Sequence, residues 1–142
     1  MVRLSEFVVP TMAYNEYVNI TKEVEELVEA AGVQNGVAFV ITAHTTTGIT
    51  VNESLECLQS DMKVMMERLA PEHDKYSHAR MLHSYGQTAG NHTGHLRAML
   101  TNNSCVFPVK DGKLLRRFAQ DIFLAEYDGP QNRRIYVQVV GE

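Results

Sequence analysis

The sequence predicts an α+β fold, with mixed or antiparallel, sandwich-like β-sheets and two or three helices. Strand-like segments are bunched at both ends of the chain, and segments with helical periodicity lie between them. The Asp111-Gly112 pair, a strong hairpin signal, lies among the C-terminal strands. A regular doubly wound fold would instead alternate strands and helices throughout. At 142 residues the chain is predicted to form a single domain over residues 1–142.

The N-terminal segment is predicted to contain two strands and a helix. Residues 2–9 and 12–20 are rich in β-forming residues, and we expect them to pair as opening strands. Apolar residues recur at helical spacing from Lys22 onward. Thr21 is the expected N-cap of this helix, and Gly32 is expected to end it.

A buried strand and a second helix are predicted next. The strand covers residues 37–42, and residues 49–51 form a short continuation. The helix should end before Pro71 and bury one apolar stripe. The stripe consists of Leu55, Leu58, Met62, Met65 or Met66, and Leu69.

The C-terminal half begins with a polar segment. Residues 72–89 are polar and rich in histidine, and a long loop inside a compact domain is often functional. A short third helix is expected from Asn91, with Leu96, Met99 and Leu100 as its apolar residues. Four strands then follow, with turns at residues 110–112 and 129–130. Their expected ranges are 104–109, 113–118, 121–127 and 133–140.

The charge balance argues against nucleic-acid and membrane-surface partners. The net charge is −4, and the longest basic runs are two arginine pairs, at 116–117 and 133–134. Phosphate backbones and anionic lipids favour a dense positive face, which this composition lacks. No apolar run approaches the ~20 residues that a membrane helix needs. A small molecule or a protein therefore remains as the expected partner.

The cysteines and the first residues favour a cytoplasmic location. Cys57 and Cys105 have no CxxC or HxxC neighbour, and we expect both to be small core residues. The chain begins without a secretory hydrophobic region. A reducing compartment is consistent with unpaired cysteines.

The histidines are the first candidate site residues. The chain has six histidines, and five of them lie between His73 and His95. His92 and His95 share a face of a helix that begins at Asn91, and His44 follows a buried strand. Three imidazoles from separate elements often hold a catalytic zinc ion with one open position. The alternative is that these are surface histidines on a polar loop.

Hydroxyl groups and a glycine follow His44. The hydroxyls of Thr45, Thr46 and Thr47 can donate to an anion, and Gly48 lets the backbone approach a ligand closely. The alternative is that the threonines are simply good strand residues.

Five further residues are candidates for the site, most of them with an alternative interpretation. Asn52 and Glu53 can position and deprotonate a bound group, although Glu53 is also favoured at a helix N-terminus by the helix dipole. Gln120, at a strand entrance, is either functional or an ordinary edge residue. One of Arg133 and Arg134 is either a phosphate clamp or part of a solvated strand end.

Four ordered motifs resemble the YjbQ-like family, whose members are often labelled secondary thiamine-phosphate synthases. The resemblance covers nearly the whole chain and is specific because the four motifs occur in the right order. They are HTTTGITVNE at 44–53, GNHTGHLRAML at 90–100, FPVKDGKLL at 107–115, and AQDIFLAEYDGPQNRRIYVQVVGE at 119–142.

The resemblance implies a mixed-sheet domain that forms a homotrimer around a threefold axis. It also implies a pocket lined by His44, Asn52, Glu53, Asn91 and His95. The family's Tyr-x-His element is matched by Tyr76 and His78, and His83 is an alternative to His78.

The chain departs from the family pattern at three positions. Thr93 stands where the family often has aspartate, Ala119 where many members have tryptophan, and Arg117 where glycine is frequent. The first departure removes a carboxylate from the implied pocket, whereas His92 adds an imidazole.

The implied activity is a weak thiamine-phosphate synthase that joins a pyrimidine diphosphate to a thiazole phosphate and releases pyrophosphate. The histidines predict a divalent metal, with zinc preferred and magnesium as an alternative, held by His44, His78 and His95 with His92 in reserve. The expected catalytic residues are His44, Asn52, Glu53, Asn91 and Gln120, and the expected ligand-binding residues are Thr45, Thr46, Thr47, Gly48 and Arg134.

Two alternatives to an enzyme are open. One is a non-enzymatic trimer that binds a metal or a small phosphorylated ligand. The other is a structural site in which His44 and His95 are satisfied by hydrogen bonds.

Overall fold

The structure, a computed structural model, describes residues 1–76 and 91–142. Within these ranges the chain forms eight strands and three helices. In chain order they are β1 (Val2–Pro10), β2 (Glu16–Asn19), α1 (Thr21–Ala30), β3 (Asn35–Thr42), β4 (Thr47–Asn52), α2 (Glu56–Leu69), α3 (His92–Thr101), β5 (Ser104–Lys110), β6 (Lys113–Leu114), β7 (Asp121–Glu126) and β8 (Asn132–Gly141).

The strands form two antiparallel sheets, which confirms the predicted α+β class. The first sheet has five strands in the order β1-β8-β3-β5-β6, and the second has three in the order β2-β7-β4. In the first sheet β1 pairs with β8 along its whole length, from Val2 opposite Val140 to Pro10 opposite Asn132. The hairpin between β5 and β6 turns at Asp111 and Gly112, whose φ angles are 51° and 77°, as the Asp-Gly signal predicts.

The main core brings together the inner faces of the two sheets and one face of α1. Period-2 alternation along the strands selects the core residues. They are Ala38, Val40, Phe107, Val109, Ile135, Val137 and Val139 from the five-stranded sheet, Ile49, Ile122 and Leu124 from the three-stranded sheet, and Val24 and Val28 from α1.

A smaller second core lies on the other face of the three-stranded sheet. There Phe123 and Ala125 of β7 pack with Tyr17, and the helices contribute Met66 and Ala98. The central strand β7 is therefore covered on both faces, because Ile122 and Leu124 point into the main core. This explains why its apolar residues run together instead of alternating with polar ones.

Beside this second core, α2 packs through part of its predicted stripe, Met66 and the partly buried Met62, whereas α3 presents a different face from the one predicted. In α2 only Met66 of the expected stripe is buried, whereas Leu55 and Leu69 are 43% and 60% exposed. In α3 the expected apolar residues Met99 and Leu100 are 72% and 48% exposed. The buried residues of α3 are Thr93, Gly94, Arg97 and Ala98.

Close backbone approach explains the buried face of α3. A Cβ atom at Gly94 would lie 2.9 Å from the carbonyl oxygen of Tyr127, so only glycine lets the helix approach so near. A helix that packs through its small residues leaves its large apolar residues outside, and the apolar periodicity then indicates the wrong face.

Four smaller expectations also need correction. The first two strands do not pair, because β1 belongs to the five-stranded sheet and β2 to the three-stranded sheet. The strand expected at 113–118 ends at Leu114, and Phe118 is 89% exposed. Thr21 is the first residue of α1, and its amide donates to Asn19 Oδ1 at 3.0 Å. Cys57 is exposed; only Cys105 is partly buried, and burial raises its pKa to about 12.

The outer face of the five-stranded sheet is apolar and exposed. We call it the outer apolar face; its residues are Val2, Leu4, Val8 and Val106, which are more than half exposed, and the partly buried Phe39, Ile41 and Tyr136. A shallow cavity of about 350 Å³ lies on it, lined by Leu4, Phe39, Ile41, Tyr136 and Gln138. A contiguous apolar patch of this kind typically marks an interaction surface.

Among the described residues, we find no helix long and apolar enough to cross a membrane.

Gly48 is expected to be intolerant of a side chain. A Cβ atom there would lie 2.5 Å from Thr101 Cγ2 and 2.8 Å from the Asn102 carbonyl oxygen. Gly48→Ala should therefore lower the free energy of unfolding by about 1–3 kcal/mol, measured by urea unfolding. Thr50→Ala, two residues along on the same strand face, is the control and should cost below ~1 kcal/mol. Equal urea midpoints for Gly48→Ala and wild type would contradict this packing.

Candidate functional site

The candidate site begins where β3 ends and β4 begins. The connecting residues 43–46 are held by hydrogen bonds from both strands. The hydroxyl oxygens of Thr42 and Thr47 are 2.6 Å apart, and the amide of His44 donates to Thr42 Oγ1 at 3.3 Å. The amide of Tyr127 donates to the carbonyl oxygen of Thr46 at 3.1 Å. The segment that bears His44 is therefore fixed on both sides.

A buried ion pair lies beneath this segment. Glu126 is fully buried, and Arg133 donates to its two carboxylate oxygens at 2.7 and 2.6 Å. Arg133 also donates to Thr46 Oγ1 at 2.8 Å, which ties the pair to the loop. Thr11 Oγ1 and the amide of Asp128 donate to the same carboxylate at 2.7 and 3.0 Å. The buried charges are thus matched by hydrogen bonds, as burial requires.

The hydrogen bonds determine the charge state of Glu126. Burial alone would raise the pKa of this carboxyl, but the hydrogen bonds from Arg133, Thr11 and Asp128 outweigh burial and lower it. Glu126 is therefore ionised at neutral pH. Its lowered pKa also makes it a source of stability that is lost in acid.

His44 is held by the strand next to its own. The amide of Arg134 donates to His44 Nε2 at 2.8 Å, and the amide of Ala43 donates to the carbonyl oxygen of Arg134 at 3.1 Å. An imidazole nitrogen that accepts a hydrogen bond carries no proton. The proton of the neutral ring is therefore on Nδ1, and His44 is a hydrogen-bond donor at that atom.

The surroundings of His44 favour this neutral form. Burial lowers the pKa of His44, and the positive charges of Arg133 and Arg134 lower it further, whereas Glu126 opposes them. The same two arginines that disfavour an imidazolium ion make the position favourable for an anion.

His44 and His95 line one pocket. Its volume is about 490 Å³, and it lies between the residue 42–47 segment and α3 with the two residues that follow this helix. Among the described residues that line it, none is a carboxylate, a lysine or an arginine. They are Thr42, Ala43, His44, Thr45, Thr47, His95, Ala98, Met99, Asn102 and Asn103.

The predicted ligand-binding residues divide into two groups. Thr45 is exposed in the pocket and Thr47 lines it, so both can reach a ligand. Thr46 is buried against Arg133, and Gly48 packs on the end of α3. Arg134 is half exposed and forms an ion pair with Glu6 at 2.8 Å.

Asn52, Glu53 and Gln120 lie at the other end of the three-stranded sheet. Asn52 pairs with Asp121, whereas Thr47 pairs with Glu126, so about 17 Å of strand separates Asn52 from the His44 pocket. The amide of Glu53 donates to Asn52 Oδ1, and the amide of Arg117 donates to Gln120 Oε1, both at 2.9 Å. Within one chain, residues 44–53 therefore do not all lie at one pocket. The catalytic roles of Asn52, Glu53 and Gln120 stay predictions.

Asn91 and His92 begin α3, at its other end from Asn102. Asn91 Nδ2 donates to Asp128 at 3.4 Å, and Asn91 Oδ1 is buried without a hydrogen-bond partner among residues 1–76 and 91–142. The ring of His92 packs on Tyr76 with centroids 4.8 Å apart. Thr93 stands where the family often has aspartate, and it donates to Glu72 Oε2 at 3.1 Å. Glu72 therefore supplies a carboxylate near this position.

The described donors do not by themselves fit a zinc ion. No group of three or more potential metal-binding side chains occurs within residues 1–76 and 91–142. The predicted third ligand, His78, and its alternative His83 lie outside the described residues. His44 also has a proton on Nδ1 and a hydrogen bond at Nε2, whereas a metal needs a free lone pair.

Two structural residues were not identified from the sequence. Asn103 lines the pocket and is not among the predicted site residues. Arg97 is 3% exposed and donates twice to the carbonyl oxygen of Ala70, at 3.1 and 2.9 Å, which joins α3 to the end of α2. A lone arginine in a helix gives no sequence signal for such a contact.

Comparison with known proteins identifies related sequences over almost the whole chain. The sequence model of a family described as UPF0047 protein YjbQ-like matches residues 5–142. A UPF0047 protein of Methanothermobacter thermautotrophicus is 37% identical over 127 residues, which are 89% of this chain and 84% of that protein. A UPF0047 protein of Archaeoglobus fulgidus is 36% identical over 135 residues, which are 95% of this chain and 99% of that protein.

Solved structures share the fold. A YbjQ-like protein of unknown function from Sulfolobus solfataricus P2 matches with a TM-score of 0.91 and 34% identity, over 100% of this chain and 99% of that chain. An uncharacterized conserved protein of the yjbq/upf0047 family from Clostridium acetobutylicum matches with a TM-score of 0.85 and 30% identity, over 96% of this chain and 99% of that chain. None of these four descriptions states an activity.

Glu126→Gln should remove acid-dependent stability as well as part of the total stability. The folded pKa of Glu126 is lowered, so its contribution is complete above the unfolded carboxyl pKa of ~4.3 and is lost as the pH falls through the folded value. The free energy of unfolding from urea curves should therefore fall less steeply below pH ~4.3 in the variant than in wild type. Breaking the pair should also cost about 3–5 kcal/mol at pH 7.

The control for this experiment is Glu23→Gln, on the exposed side of α1. It should leave the acid dependence of wild type intact. Thr11→Val, which removes one hydrogen bond to Glu126, gives a milder test if the glutamine variant is unfolded. Identical acid profiles for wild type, Thr11→Val and Glu126→Gln would contradict the assignment.

Proposed function

Because the chain belongs to the YjbQ-like UPF0047 family, whose relatives named above carry no stated activity, we propose a function from the site itself. The pocket between His44 and His95 binds a small phosphorylated molecule. The observation that carries the proposal is the hydrogen bond from the Arg134 amide to His44 Nε2, which makes Nδ1 of the neutral ring a donor.

The donors around the pocket support an anionic ligand. Thr45 and Asn103 are exposed residues that line the pocket together with His44, and they offer a hydroxyl and an amide to a ligand there. Phosphate oxygens are strong acceptors, and hydrogen bonds to a charged group contribute more than bonds between neutral groups. The lining has no described carboxylate that would repel an anion.

The arginines behind His44 supply positive potential without blocking the pocket. Arg133 is buried against Glu126, and Arg134 points to Glu6, yet both charges lower the pKa of His44. A cavity of about 490 Å³ accommodates a phosphorylated metabolite of modest size.

A transferase acting on phosphorylated pyrimidine and thiazole precursors is the enzymatic version of this proposal. It rests on the family resemblance, and the same donors would stabilise the charge of a departing diphosphate. The described pocket offers hydrogen bonds for this task but no carboxylate to hold magnesium. The non-enzymatic version is a trimer that binds the phosphorylated ligand without turnover.

A homotrimer is the proposed assembly. The outer apolar face supports it, since burial of exposed Leu4 and Val106 against another copy would remove apolar surface from water. This face lies beside the site, because Arg134 lies on it and holds His44 through its amide.

Pyrophosphate is expected to bind to the full chain without added metal. His44→Phe keeps a ring of similar shape but removes the Nδ1 donor, so its dissociation constant should rise about tenfold or more. Isothermal titration calorimetry at constant ionic strength measures both values. His73→Phe replaces an exposed histidine outside the pocket lining and should bind like wild type. Equal affinity in the His44 and His73 variants would refute the proposal.

The same titration separates the hydrogen-bonded site from a zinc site. Unchanged pyrophosphate affinity after chelator treatment favours the hydrogen-bonded site. Zinc near one ion per chain by elemental analysis, lost in both His44→Ala and His95→Ala, would instead favour the zinc site. A turnover assay with the two phosphorylated precursors tests the transferase, and loss of product in Glu53→Gln would favour it.

Leu4→Lys is expected to convert a trimer into monomers. Leu4 is 63% exposed in the single chain, so a lysine there fits the monomer but introduces a charge at the outer apolar face. Leu69→Lys, at a leucine of α2 that is 60% exposed, is the matched control and should remain trimeric. Light scattering at micromolar concentration measures the mass, and a monomeric wild type would rule out the trimer.

A further inference from the structure

A second cavity lies between the three-stranded sheet and the helices α2 and α3. Its volume is about 200 Å³, and it is more enclosed than the pocket at His44. We call it the tyrosine pocket; its lining residues are Tyr17, Thr50, Asn52, Met62, Met65, Met66, Leu100, Thr101 and Tyr127.

Three hydroxyl groups in the tyrosine pocket form a chain whose direction is fixed. Thr101 Oγ1 donates to the carbonyl oxygen of Arg97 at 2.9 Å, so its proton is used. The Tyr127 hydroxyl lies 2.6 Å from Thr101 Oγ1 and must therefore be the donor of that pair. Tyr17 in turn donates to Tyr127, 3.3 Å away, because the single proton of Tyr127 is already committed.

The first hydroxyl of this hydrogen-bonded series, that of Tyr17, can still accept a hydrogen bond. Burial raises the pKa of both tyrosines, so both hydroxyls keep their protons at neutral pH. The Tyr17 hydroxyl donates its proton to Tyr127, and the Tyr17 oxygen retains lone pairs to which no described group donates. Tyr17 itself is held at 8% exposure by an edge-to-face contact with Tyr127, with ring centroids 6.2 Å apart.

The rest of the tyrosine pocket is uncharged, with an apolar wall supplied by the helices. Three methionines and Leu100 form this wall, whereas Thr50 and Asn52 add a hydroxyl and an amide from the sheet, and methionine adapts to ligands of different shape. None of the described lining residues is charged, so an ionic ligand would lose its hydration without compensation. An apolar cavity of ~150 Å³ is large enough for benzene, so this one has room for a single substituted ring.

We propose that the tyrosine pocket binds a small neutral molecule with an aromatic or compact aliphatic body and one hydroxyl or N–H group, which donates to the oxygen of Tyr17. The site is separate from the proposed phosphate site. Leu100 and Thr101 line the tyrosine pocket, whereas Ala98 and Met99 of the same helix line the pocket at His44.

Phenol and anisole test this inference as a matched pair. Both have one aromatic ring and one oxygen, but only phenol can donate a hydrogen bond. In NMR titrations of the full chain, phenol should shift resonances of residues that line the tyrosine pocket. Its dissociation constant should be about tenfold lower than that of anisole.

Tyr17→Phe should abolish this preference while it keeps the ring contact with Tyr127. Tyr136→Phe, on the outer apolar face, is the matched control and should retain it. Equal affinity of wild type for phenol and anisole would overturn the inference, as would a preference that survives in Tyr17→Phe. Phenol shifts confined to the outer apolar face or to the pocket at His44 would do the same.

A crystal of the wild-type protein soaked with 4-bromophenol gives a readout that does not depend on any variant. Anomalous density for bromine beside Tyr17 is the expected result, and density only at other positions, or none, contradicts the proposal. Pyrophosphate binding is measured in parallel on Tyr17→Phe and should be unchanged. These measurements therefore show separately whether the tyrosine-pocket proposal or the phosphate-site proposal is wrong.

Discussion

The buried ion pair between Glu126 and Arg133 joins the two sheets of the fold. Glu126 ends β7, in the three-stranded sheet, and Arg133 lies in β8, in the five-stranded sheet. Through Thr46 and Thr11 the pair also reaches the loop before β4 and the segment after β1. One carboxylate and one guanidinium therefore fix the relative position of the two sheets at the end where the candidate site lies.

The position of the Glu126–Arg133 pair also determines the tautomer of His44. Because Arg133 is fixed in β8, the next residue presents its amide to His44 Nε2, and that amide selects one tautomer of the ring. An apolar pair of the same volume would fill the space and often matches a buried ion pair in stability. It would not hold the Thr46 hydroxyl or supply positive potential behind His44. We therefore explain the ion pair by its role in the candidate site and not by a contribution to stability.

The sequence predicted the features that depend on periodicity or on local turn chemistry. It predicted most of the strands and the Asp111-Gly112 hairpin, and it singled out His44 and His95, which line one pocket. It did not predict the face of α3 that is buried, because that face is defined by close approach at Gly94 and not by apolar residues. Asn52 lies far from His44 because the extended strand β4 separates them, and the spacing of the motif in the sequence does not show this distance. The direction of the Tyr17 hydroxyl chain likewise depends on contacts between residues far apart in sequence.

The pairing of β1 with β8 has a consequence for the order of events during synthesis. β1 is made first, yet its partner spans Asn132–Gly141, so the first strand waits for nearly the whole chain before it can join the sheet. During that interval its exposed apolar residues and unpaired backbone groups are open to contact with other chains. Contacts of such long sequence separation also slow folding. The edge of β1 therefore stays unpaired until β8 has been made.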